Sequence, residues 1–148
     1  MDLIVNKKVI LNGLGILILI LMLIWAVVGT YSPQMQKRVE ATKSVFNDIE
    51  FMPGSSLEKI ETSNKTNSVL VVGDFNVDAG YGQIKKYYIE ELKNENWIFD
   101  NEYEQVGHGT NNYKELDFHK GKYILNINYF EDFSNYGCNY AISIKWKR

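Results

Sequence analysis

Asp74, Asn76 and Asp78 stand at every second position, which is how a calcium-binding loop opens. Such a loop needs glycine at its sixth place for the sharp turn and glutamate at its twelfth to clasp the ion. Those places hold Ala79 and Lys85. A strand running into a turn explains the same three residues, with positions 74, 76 and 78 on its wet face. His108 lies in Gly107-His108-Gly109, and the second histidine, His119, lies beside Lys120. An imidazole titrates near neutrality and can act as base or ligand, but no HxxH or HExxH spacing joins these two. Asp74, Asp78, His108 and His119 are therefore the set that a hydrolase or metal-dependent enzyme would have to gather into one pocket. Cys138 is the only cysteine, so neither an internal disulfide nor a paired-cysteine zinc site is available. A nucleophilic role needs a base beside it, which the sequence does not place, and a lone cysteine before a strand reads as a small buried hydrophobe. No GxSxG, GxGxxG or P-loop occurs. Gly80-Tyr81-Gly82 ahead of a helix offers N–H groups to an anion, yet a turn needing glycine accounts for it as well. No catalytic residue, metal ligand or cofactor is assigned.

Aromatic residues carry the remaining signal. Tyr103, Tyr113, Tyr129, Phe130, Phe133, Tyr136 and Tyr140 gather in and near the loops and last strands. Phe130, Phe133 and Tyr136, spaced through one polar loop, are the candidate protein interface, because aromatic side chains dominate such contacts. The charge balance, 16 basic against 18 acidic residues, gives a net of −2 and no clustered basic face. That argues against nucleic acid as a partner, since phosphate contacts need concentrated positive charge.

The elements that must position these residues follow from periodicity. From Val9 to Val28 no residue is charged. A run of about 20 apolar residues matches the hydrocarbon thickness of a bilayer, so residues 9–28 are expected to form a transmembrane helix. A cleaved signal peptide is the competing reading, with Lys7 and Lys8 as its basic region, but its apolar stretch is usually shorter. The expected division is a cytoplasmic tail over 1–8, the span over 9–28, a connecting segment over 29–52 with a helix from 33 to 48, and an extracytoplasmic domain over 53–148. The localisation expected from this is the cell membrane, single-pass, with the integral anchor itself as one partner.

In the domain, Leu57–Thr62 reads as a short strand, and Val69-Leu-Val-Val72 as a central one continuing through Phe75 and Val77. Ile84, Tyr87, Tyr88, Glu91 and Leu92 share one stripe of a helix that Asn94-Glu-Asn96 ends. Trp97-Ile-Phe99 opens another strand. Leu116 and Phe118, then Tyr123, Leu125, Ile127 and Tyr129, then Tyr140, Ile142, Ile144 and Trp146 alternate with polar neighbours. Period-2 alternation means one dry and one wet face, which suits an antiparallel sheet. The expected fold is α+β: an N-terminal transmembrane helix followed by an antiparallel sheet with one helix, 82–94, packed on a face.

Pro53-Gly54-Ser55 before the first strand, Tyr87-Tyr88-x-x-x-Leu92 followed by Trp97, and Leu116-x-Phe118-x-Lys120-Gly121 ahead of a long strand resemble small bacterial envelope domains carried by lipoproteins or signal anchors. Those domains bring no active site to carry over, and this chain lacks their lipid-anchor cysteine. The resemblance implies a membrane-tethered, non-enzymatic binding or accessory module of the bacterial envelope, its partner another envelope protein, with an immunity-type role as one version. An extracytoplasmic hydrolase or metal-binding enzyme using Asp74, Asp78, His108 and His119 is the alternative. A minor pilin-like subunit is a third reading, although the apolar run lacks the early glutamate such subunits usually carry.

Overall fold

A computed structural model describes residues 15–25, 33–65, 67–106, 112–131 and 137–147, with the backbone alone at 105 and 106. In chain order these form α1 (residues 15–25), α2 (Pro33–Asn47), β1 (Ser56–Lys65), β2 (Ser68–Asn76), α3 (Tyr81–Asn94), β3 (Ile98–Val106), β4 (Asn112–Lys120), β5 (Tyr123–Phe130) and β6 (Tyr140–Lys147). The strands make one six-stranded sheet in the order β1-β2-β6-β5-β4-β3. Every pairing is antiparallel.

The alternation in β2, β4, β5 and β6 puts its apolar set on one face. Val71, Ile144, Leu125 and Phe118 form one row across four strands, and Gly73, Ile142, Ile127 and Leu116 form the next. Both α2 and α3 lie on this face. Ile84, Tyr88 and Leu92 of α3 and Phe46 of α2 are buried in the same core as Val71, Phe75, Leu116, Leu125 and Ile142. A second, smaller cluster joins Met35 of α2 to Val69 and Trp146, with the Arg38 guanidinium 4.4 Å from the Trp146 ring. Gly73 lets α2 approach: a Cβ there would stand 2.5 Å from Cζ of Phe46 and 2.9 Å from Cε2 of Phe75.

The phenols at the centre of the core are hydrogen-bonded. The Met52 N–H donates to the Tyr88 hydroxyl at 3.1 Å, that hydroxyl pairs with Tyr140 at 3.1 Å, and Tyr140 pairs with Ser55 Oγ at 2.7 Å. Burial, above all, holds both phenols protonated far above neutrality. The helix α3 ends as its asparagines predict. Asn96 takes the left-handed conformation, φ 65°, and the Trp97 N–H reaches back to the Leu92 carbonyl at 2.9 Å, closing the helix and burying the indole.

Two expectations need correction. Among the described residues no helix is long and apolar enough to cross a membrane. The helix found within 9–28 is α1, residues 15–25, which rises about 16 Å where a hydrocarbon core needs about 30 Å. Residues 9–14 and 26–28 lie outside the described set. The transmembrane span, and the single-pass and signal-anchor readings built on it, are withdrawn. The apolar side chains of α1 stand exposed, from 46% at Ile20 to 84% at Trp25. The second correction concerns the sheet. It carries two helices on its face, not one, because α2 is amphipathic at the right spacing and buries Met35, Thr42 and Phe46. The segment expected to connect is part of the core.

Candidate functional site

At one end of the sheet the exits of β2 and β5 and the entrances of β1 and β6 come together around a cleft of about 580 Å³. Gly54, Ser56, Asn76, Val77, Asp78, Tyr129, Phe130, Glu131 and Asn139 line it. Asn139 holds this end closed. Its backbone N–H donates to the Phe75 carbonyl at 3.1 Å, and its own carbonyl accepts from the Phe130 N–H at 2.9 Å. Its side chain accepts from the Val77 N–H at 3.1 Å and donates to the Val77 carbonyl at 2.6 Å. Asn76 adds a bond from Nδ2 to the Gly137 carbonyl at 3.2 Å, and Gly137 supplies the left-handed turn, φ 71°, that brings β6 back beside β2. The polar floor is thus fixed by backbone bonds, while the aromatic wall comes from the last two residues of β5.

The charges at this cleft are acidic. Glu131 pairs with Lys114 at 3.2 Å. Asp78 is exposed and makes no ion pair among the described residues. The wall continues onto the helix side. Tyr81 of α3 packs its ring 5.6 Å from Tyr129, with Lys114 over its face at 5.0 Å. The Tyr81 hydroxyl bonds Glu102, which also pairs with Lys85 at 2.5 Å. These two contacts, Lys85 first, hold the Glu102 carboxyl below its ordinary range.

A second polar cluster lies on the sheet face away from the helices. Asn126 Nδ2 donates to Glu115 at 3.1 Å and to Asp117 at 2.5 Å, and Ser143 Oγ donates to Asn126 Oδ1 at 3.5 Å. Burial first, and then the neighbouring Asp117, push the Glu115 carboxyl up to about 7. The Asp117 carboxylate, at the next outward position of the same strand, disfavours ionisation of Glu115.

The residues singled out from sequence do not converge. Asp74 lies on the outward face of β2 opposite Ala141, and Asp78 lines the end cleft. His119 lies near the opposite end of β4, its Nδ1 bound to Asp100 at 2.7 and 2.8 Å. Two strands, β6 and β5, separate Asp74 from His119. His108 is outside the described residues. Among the described residues no group of three or more His, Cys, Asp and Glu side chains is placed to hold a metal ion. Cys138 is 3% exposed, and burial pushes its thiol up to about 11. Of the three candidate interface aromatics, Phe130 lines the cleft, while Phe133 and Tyr136 are outside the described residues. Sequence reasoning missed Asn139, and it named Asn76 only as the middle member of a calcium-like triplet, not for its bonds to Gly137 and Asn139. The only local signal was an amide at each end of a strand, a position where side chains commonly bond turn backbone.

No known protein family, curated protein or solved structure matches this chain. The site therefore has to be read from its own geometry.

Proposed function

We propose that this chain is a non-catalytic binding module that recognises another protein through the end cleft. The observation that carries the reading is the cleft's composition: a Tyr129-Phe130 wall against a polar floor, with Asp78 exposed at the edge. Aromatic walls supply contact area at small entropic cost, and a fixed polar floor orients what enters. A carboxylate beside aromatic faces favours a lysine or arginine of the partner, whose stem packs on the rings while its charge meets Asp78. Such a site is suited to binding and orienting a partner side chain.

Quantitative cross-linking capture tests this, comparing the native chain with Phe130→Ala and Asp78→Asn. We expect one protein to be captured by the native chain and depleted about tenfold in both variants, the scale of a lost anchor. If the same proteins are captured equally by all three, the cleft is not the recognition surface.

A further inference from the structure

We propose that β1 pairs with β1 of a second copy of this chain, antiparallel about a two-fold axis at Ile60, to join two sheets into one.

The strand is an edge. β1 bonds β2 on one side and, among the described residues, has no sheet neighbour on the other, and all ten of its residues are exposed. Leu57 and Ile60 remain 45% and 47% exposed. An open edge of this length presents a row of N–H and C=O groups to any extended chain. What selects the occupant is charge. In antiparallel pairing about Ile60, Ile60 meets its own copy, Lys59 meets Glu61 of the partner subunit, and Glu61 meets Lys59 of the partner subunit. Lys59 and Glu61 already pair within the strand, at 60% and 62% side-chain exposure. The four charges would form a square of alternating sign, with the two isoleucines covering each other on the opposite face. Moving the axis by one residue sets Lys59 against Lys59 or Glu61 against Glu61, and moving it by two sets Glu58 against Glu58 or Lys59 against Lys65. The self-complementary register is thus singled out near Ile60.

The other edge strand is built differently. β3 carries Asp100, Glu102 and Glu104 and no basic residue, so antiparallel self-pairing about any of residues 100–104 opposes like charges. Its carboxylates blunt that edge. The bulge in β1 between Leu57 and Lys59 limits the ladder to the few residues around Ile60. One edge is self-complementary and the other self-repelling, which gives a closed pair and not a growing sheet.

Sedimentation analysis of the full chain tests the pairing by charge swap. The native chain should sediment as a dimer at micromolar concentration and dissociate as salt rises. Lys59→Glu and Glu61→Lys should each weaken the dimer about tenfold or more, since two facing pairs turn from attraction to repulsion. Combining the two substitutions restores alternating signs and should recover the dimer. Lys65→Glu should leave it unchanged. Circular dichroism checks that each variant is folded. A native chain that stays monomeric overturns the proposal, including the case in which the edge serves a peptide of another protein. So does association that ignores both single swaps, which would run through another surface, or association abolished by Lys65→Glu.

Discussion

Glu115 shows how a single side chain on the outer sheet face reports its surroundings. Asp117 lies two residues along the same strand, Asn126 donates a hydrogen bond to Glu115 from β5, and Tyr103 is its register partner on β3. Burial and the Asp117 carboxylate raise its pKa to about 7, from an ordinary 4.5. The folded chain therefore keeps a proton that the unfolded chain releases, and stability falls as pH rises through that window. Urea unfolding should show a higher midpoint at pH 5.5 than at pH 8, and Glu115→Gln should shrink that difference. An unchanged difference in the variant would assign the pH dependence to other groups. Asp74 and Glu95 are also raised, chiefly by burial, and act in the same direction, while Glu102 acts in the opposite one.

At the scale of elements, the contact between α2 and β2 rests on an absent side chain. Gly73 sits in a row of large apolar residues, and its missing Cβ is the space that Phe46 fills. Gly73→Ala should lower unfolding stability by about 1–3 kcal/mol, the usual cost of overpacking. Adding Phe46→Leu shortens the intruding ring and should recover part of that loss. A double-mutant cycle with no coupling would show that the two residues do not oppose each other in solution. The periodicity over 33–48 identified α2 as a helix, but not its destination. Met35, Thr42 and Phe46 recur at core spacing, yet they read equally well as the dry stripe of a linker. Which face they meet depends on Gly73 and Val69, remote in sequence.

For the whole molecule, the two core clusters draw on α2, α3 and all of β2, β4, β5 and β6, together with Trp97 and Ile49, and on no residue of α1. A chain beginning at Pro33 should then unfold at the same temperature as the full chain, within about 2 °C. A drop of more than that would mean that the first thirty-two residues support the core. The cleft belongs to this scale too. It exists because antiparallel order places the ends of β2 and β5 beside the starts of β1 and β6, and Asn139, just before β6, then bonds the ends of β2 and β5.

Alternation by twos and the Ile84-Tyr88-Leu92 stripe determined, from sequence alone, which residues would face a common core. Hydrophobic burial rewards one phase of each pattern and penalises the other, so a local pattern is enough to orient a strand or helix. The same local reading took an uncharged run as a span, whereas among the described residues no helix is long and apolar enough to cross a membrane. The neighbours of each strand were decided only in three dimensions. Strand order separates Asp74 from His119, brings Asp78 to Phe130, and leaves β1 and β3 as edges. These outcomes depend on pairings between segments far apart along the chain, whose free energy no short stretch of residues contains.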